Sequence, residues 1–182
     1  MLHTEIPDFK YIKDPEAAGT VEVSEKPVKC DCCENYVDAI YSGPIYCDND
    51  LEIDVICPIC ISDGSAAKKF KCTFVDVEVC DEIKSKKAIK ELTCRTPSFM
   101  SWTQEKWLAH CGDYCEFIGY VGWDDVWRMG IAEEIEEDYK ENGTYSIRSA
   151  RNAENGGKTQ GYLFKCLKCG QHRLWIDKDP MK

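Results

Sequence analysis

Three pairs of cysteines, Cys30/Cys33, Cys57/Cys60 and Cys166/Cys169, each enclose two residues. That spacing lets one tight turn aim both sulfurs at a point about 2.3 Å from each, the geometry of a zinc knuckle. Cys30, Cys33, Cys57 and Cys60 are therefore expected to share one Zn2+, with Cys32 in "CDCC" a competitor for the place of Cys33. The third pair finds its complement in "AHCGDYC", where Cys111 and Cys115 are four apart and would lie on one side of a helical turn. Cys111, Cys115, Cys166 and Cys169 form the expected second site, with His110 an alternative to Cys111; neighbouring residues on a helix diverge, so one site is not expected to use both.

Other chemistry is weighed against this. Two four-cysteine sites are closed, whereas a catalytic zinc keeps a position open. The zinc deaminase pattern requires His-x-Glu, which occurs nowhere. The strongest enzymatic alternative is a thiol redox enzyme using Cys57 and Cys60, because "ICPIC" running into "SDGSAAKKF" has the outline of a cysteine pair at a helix start. A second pair upstream and the missing βαβ surroundings argue against it. The histidines are His3, His110 and His172, and no phosphate loop, dinucleotide fingerprint or nucleophile elbow is present. Cys32, Cys47, Cys72, Cys80 and Cys94 have no ligand-like partners in sequence and read as small buried hydrophobes.

The remaining composition narrows the class. Thirteen cysteines, an odd number, fit metal ligation better than a disulfide framework. A formal charge of −10 over 182 residues disfavours nucleic acid as partner. With no eighteen-residue apolar run and no secretory pattern at the N-terminus, the expectation is a soluble, cytoplasmic chain that does not engage a membrane.

The elements that must position these residues follow from local patterns. Thr20 to Ser24 reads as a short strand, and "YVDAIYSGPIY" as a hairpin about Ser42-Gly43-Pro44 between the first two pairs. Ser62 or Asp63 caps a helix through "GSAAKKF", "CTFVDVEVC" reads as a strand, and "DEIKSKKAIKEL" as helix or loop. Ser101 with Gln104 makes a capping box for a helix over "WTQEKWLAHC". "WDDVWRMGIAEEIEEDYKENG" is the clearest helix, with Trp127, Ile131, Ile135 and Tyr139 at four-residue spacing and Asn142-Gly143 at its end. "YLFKC" and "HRLWID" close as two strands around "CLKCG". The fold class expected is α+β, with small zinc-knuckle or zinc-ribbon-like lobes packed with two main helices. Residues 1–95 would be the N-terminal zinc-knuckle lobe, and 96–182 the helical segment with its C-terminal zinc-ribbon-like hairpin, the two expected to form one compact unit.

The helix carrying Glu133, Glu134, Glu136 and Glu137 has a strongly acidic face. Such a run is either a solvated surface or a docking site for a basic protein.

Taken together, "GPIY", "CPICISDGSAAKKF", "RTPSFMSWTQEKWLAHCGDYCEFIGYVGW" and "YLFKCLKCGQH" resemble the CbrC family of bacterial proteins, in order from about Phe9 to Ile176. Ile59 stands where the family has Trp, and 132–158 matches no shared motif. The resemblance implies no established catalysis, and it implies an association with tolerance to DNase-type colicins. Nuclease toxins are generally basic, so the expected partner is a basic toxin domain met through the acidic face. The expectation as a whole is a non-enzymatic, zinc-stabilised protein of toxin tolerance or immunity, with two Zn2+.

Overall fold

The computed structural model describes residues 5–47 and 52–181. His3 and the first part of the expected loose N-terminal end lie outside them. The fold is mixed α+β, as expected: among the described residues there are six α-helices and nine strands, in small antiparallel sheets. The chain divides into two compact units, Met1–Glu78 with Ser85–Met100, and Val79–Lys84 with Ser101–Lys182. Among the described residues no helix is long and apolar enough to cross a membrane.

In the first unit, β1 (Val21–Lys29) pairs antiparallel with β2 (Tyr36–Tyr41). Along β2, Val37, Ala39 and Tyr41 are buried, the period of two that a half-buried strand requires. The register of β1 shifts between Val23 and Val28, where Pro27 supplies no amide hydrogen to the ladder. The hairpin expected about Gly43 does not form. β2 is already paired with β1, and β3 (Tyr46–Cys47) pairs instead with β4 (Cys72–Thr73), far along the chain. "CTFVDVEVC" supplies only that two-residue strand before the chain turns.

Between β3 and β4 run α1 (Pro58–Ser62) and α2 (Ser65–Phe70), separated by Gly64 in the left-handed region at φ +76°. The cap expected from Ser62 or Asp63 is realised only in part, since the Asp63 carboxylate accepts the Ser65 N–H at 2.8 Å. α3 (Lys86–Arg95) is capped by Ser85, whose hydroxyl accepts the Ala88 N–H at 3.2 Å. Tyr11, Ile12, Ile56, Ile61, Phe74, Leu92 and Phe99 are fully buried in this unit, and Phe74 meets the edge of Tyr41 at 5.3 Å between ring centres.

The second unit is built on a three-stranded antiparallel sheet, β7 (Glu116–Val121), β8 (Thr159–Lys165) and β9 (His172–Lys178), in that spatial order. A two-stranded ribbon, β5 (Ala109–His110) and β6 (Asp113–Tyr114), precedes it. The helix expected over 101–111 is absent. Trp107 is fully buried there and donates its indole N–H to the Cys115 carbonyl at 2.9 Å, while Thr103 binds the Asp177 carboxylate through both its amide and its hydroxyl. These long-range bonds hold the segment extended, and they outweigh its capping box.

The long acidic helix is two helices, α4 (Trp123–Arg128) and α5 (Ala132–Asn142), broken at Gly130 with φ +71°. The break leaves Trp127 mostly exposed, whereas Ile135 and Tyr139 stay on the packed face. A short α6 (Ile147–Arg151) follows in the stretch expected to be irregular. One side of the sheet joins these helices in a core of Val121, Trp123, Val126, Ile135, Tyr139, Leu163, Leu174 and Ile176. Tyr162 and Phe164, which alternate with Leu163, stack with Phe117, Trp107 and Trp175.

Candidate metal centres

Cys30 and Cys33 lie in the turn that joins β1 to β2. The Cys30 N–H donates to the Asn35 carbonyl at 2.9 Å, and the Cys30 carbonyl accepts the Glu34 N–H at 2.8 Å. Closing the turn this way drives Glu34 to φ +63°. Cys57 stands at the N-cap of α1, with Pro58 in the first helical position where no amide is needed. The Cys60 N–H returns to the Cys57 carbonyl, and the Cys57 N–H reaches across to the Cys30 sulfur at 3.4 Å.

Two residues not singled out from the sequence clamp these halves together. The Asp31 carboxylate accepts the amides of Asp54 and Val55 at 2.9 and 2.8 Å, and Lys69 Nζ donates to the carbonyls of Asp31 and Cys32. Their signal in the sequence is slight: an acidic residue inside "CDCC" and one lysine among several in α2.

The ligand atoms of Cys30, Cys33, Cys57 and Cys60 all lie within 4.8 Å of one another. Sulfurs placed tetrahedrally about one zinc at about 2.3 Å would be about 3.8 Å apart, so a small inward adjustment seats the ion. Cys30, Cys57 and Cys60 are buried and Cys33 is exposed. Cys32 turns aside, its sulfur 3.5 Å from the Ser65 hydroxyl. A hydrogen bond from the Cys57 thiol holds the Cys30 thiol down to about 4 against its burial. The same bond, with burial, pushes Cys57 up, and burial pushes Cys60 up to about 12. Metal binding at this group would require its thiols to give up their protons.

The turn from β8 to β9 repeats the first knuckle. The Cys166 N–H donates to the Gln171 carbonyl at 2.8 Å, the Gly170 N–H returns to the Cys166 carbonyl at 3.0 Å, and Gly170 takes the left-handed place at φ +79°. The Lys168 N–H points at the Cys166 sulfur, 3.4 Å away. Burial raises the Cys166 thiol, but the amides of Cys169 and Lys168, with His110, outweigh it and bring the thiol down to about 6.

The partners of this second knuckle differ from the expected set. Cys111 and Gly112 form the tip of the β5–β6 ribbon, both with positive φ, +53° and +74°, as a type I′ turn demands. At such a tip adjacent side chains can converge, and they do: His110 Nδ1 is 3.3 Å from both the Cys111 and the Cys169 sulfur. The ligand atoms of His110, Cys111, Cys166 and Cys169 lie within 4.8 Å of one another. Cys115 falls outside this group. It follows β6, fully buried, with its amide bound to the Leu108 carbonyl, and burial pushes its thiol up to about 12. Helical spacing placed Cys115 beside Cys111; the ribbon separates them and puts His110 in its stead.

The base of the ribbon rests on a buried ion network. Arg173 of β9 donates to the Asp138 and Asp81 carboxylates and to the Ala109 carbonyl, while Asp81 also accepts the Ala109 N–H at 3.0 Å. Next to it, the Glu134 carboxylate takes the His172 N–H at 2.7 Å. Of the four glutamates of the acidic face, Glu134 and Glu136 are thus engaged within the unit, Glu136 with Arg151 at 2.6 Å. Glu133 and Glu137 remain exposed. A cleft of about 690 Å³ runs between α5 and the knuckle, lined by Glu134, Glu137, Glu141, His110, Cys169 and Gln171.

The fold and these two groups define a small α+β protein with two cysteine-bearing knuckles, each joined by a further pair of residues from its own unit in a group of four that could hold a metal ion. The chain belongs to the uncharacterised protein family UPF0167, whose model matches residues 6–178. It is similar to UPF0167 proteins of Mycobacterium bovis and Mycobacterium tuberculosis, each 36% identical over 94% of this chain and 93% of the relative. A UPF0167 protein of Pseudomonas aeruginosa is 32% identical over 97% of this chain and 99% of its own length. No solved structure matches the chain.

Proposed function

We propose that the protein is a non-enzymatic binding protein held together by two structural zinc ions, one on Cys30, Cys33, Cys57 and Cys60 and one on His110, Cys111, Cys166 and Cys169. The observation that carries this is the convergence of four soft or borderline donors in each group, all within 4.8 Å. Thiolate and imidazole ligands in a closed set of four are the structural zinc chemistry, with no position left for a substrate. Each ion would contribute on the order of 10 kcal/mol of folding free energy to its unit.

The partner is a basic protein surface, met at the cleft beside the second group through Glu137 and Glu141, with Glu134 at its wall and Glu133 exposed on the same helix. The formal charge of −10 supports that sign of partner. The resemblance to the CbrC family directs the reading further, to tolerance of DNase-type toxins, whose DNA-binding surfaces are basic.

Metal analysis of the purified chain tests the first part: two zinc equivalents are expected, falling to about one in Cys57→Ser. A metal-free, folded chain would overturn it. Pull-down against basic nuclease domains tests the second, repeated with Glu133, Glu137 and Glu141 reversed to Lys. Binding that ignores those reversals would reduce the acidic surface to a solvated face.

A further inference from the structure

Apart from its four-cysteine group, the first unit contains a second set of thiols. Cys47 and Cys72 stand directly opposite one another in the β3–β4 ladder. Cys94 belongs to α3, which packs on β4. Residues directly opposed in an antiparallel pair have Cα atoms about 4.5 or 5.5 Å apart. Disulfides bridge Cα separations of about 4.4–6.8 Å, so the register brings the two residues within the backbone separation that a disulfide spans. The Cys72 thiol is turned towards the Ala66 carbonyl, 4.0 Å away. Cys47 is half-buried and Cys72 buried, so one of the pair can be reached from solvent while the other waits behind it.

The placement has a consequence for the first metal group. The ladder is only two residues long, and backbone bonds alone hold so short a pair weakly. The chain between its strands carries Cys57 and Cys60, half of the ligand set. A bond between Cys47 and Cys72 would close that loop covalently.

We propose that Cys47 and Cys72 are the site of a reversible cross-strand disulfide, formed by exchange with a low-molecular-weight disulfide such as oxidised glutathione. In the first step the Cys47 thiolate attacks one sulfur of the small disulfide. That S–S bond breaks, one small thiol leaves and takes up a proton, and Cys47 is held in a mixed disulfide. In the second step Cys72 gives up its proton and attacks the Cys47 sulfur, expelling the second small thiol. Two protein thiols are oxidised, and one small disulfide is reduced to two thiols. Burial pushes the Cys72 thiol up to about 12, which makes the second step the slow one.

The test is disulfide mapping of the full-length wild-type chain after equilibration with oxidised and reduced glutathione over a range of ratios, followed by acid quench, alkylation, digestion and mass spectrometry. The expected result is a peptide joined through Cys47 and Cys72, increasing with the oxidised fraction and reversed by reduced glutathione. Cys94→Ser is expected to leave it unchanged, and Cys72→Ser to stop at the mixed disulfide on Cys47. Recovery of Cys47 and Cys72 as alkylated free thiols at every ratio would overturn the proposal, as would a bond joining Cys72 to Cys94 instead. The decisive mapping is read on the wild-type chain with its zinc content measured alongside, so that a negative result cannot be put down to a variant's misfolding or to loss of metal.

Discussion

Arg173 Nε donates to both carboxylate oxygens of Asp138, at 3.2 and 3.1 Å, with both side chains almost wholly buried. The same guanidinium reaches the Ala109 carbonyl, one residue before His110, and so links α5 and β9 to the ribbon that carries His110 and Cys111. An ion pair of this kind does little for net stability against an apolar replacement of both partners, but it is costly to break on one side.

Arg173→Met is therefore expected to destabilise the chain by about 3–5 kcal/mol, since it strands the Asp138 carboxylate in the interior. Urea unfolding measures this. Zinc content, read on whatever folded fraction remains, should fall towards one equivalent as the ribbon loses its anchor. A loss below about 1 kcal/mol would mean that Asp138 finds another partner or takes up a proton cheaply.

His110 and Cys115 separate the two possible ligand sets for the second ion. His110→Ala and Cys169→Ser should each lose one zinc equivalent, whereas Cys115→Ala should retain both and show only the modest loss of a small buried side chain. Elemental analysis of the purified variants decides between them. Retention in His110→Ala with loss in Cys115→Ala would restore the helical arrangement that the spacing alone implies.

The two knuckles place different residues in the same strained position, Glu34 at φ +63° and Gly170 at φ +79°. A side chain in the left-handed region costs of order 1–3 kcal/mol where nothing offsets it. Gly170→Ala should lower stability by about 1–2 kcal/mol, and Glu34→Gly should not lower it. Thermal unfolding of the two variants beside the parent chain reads the asymmetry.

High pH should unfold the protein through its buried phenols. Burial raises Tyr114, to about 12, and also Tyr162. In the unfolded chain both ionise near 10, so between these values the unfolded state binds fewer protons than the folded one. Their contribution to stability is complete below about pH 10 and is lost as the pH rises through the folded values. Urea unfolding at a series of alkaline pH values should show this decline, shallower in Tyr114→Phe. A flat profile would contradict the burial of the two hydroxyls.

What the sequence determined by itself is the chemistry and the local turns. Cys-x-x-Cys is a statement about one tight turn, and a turn is settled by the few residues inside it, so the grouping of Cys30 with Cys33, Cys57 with Cys60 and Cys166 with Cys169 was legible before any fold was known. Strands β8 and β9 were legible for the same reason, since their apolar residues flank such a turn. The partner of each strand, the end of each helix and the fourth ligand were not local matters. Ser101 and Gln104 make a capping box on paper, yet Trp107 and Asp177 claim the segment for an extended path; helical periodicity runs through Gly130, yet the chain breaks there and leaves Trp127 outside. Cys115 illustrates the point most clearly. Its distance from Cys111 in the sequence fits a helix, and only the type I′ turn at Cys111 and Gly112 turns His110 inward and sends Cys115 into the core. Spacing fixes which residues can meet within a turn, whereas burial and long-range hydrogen bonds, summed over the whole unit, decide which turn is made.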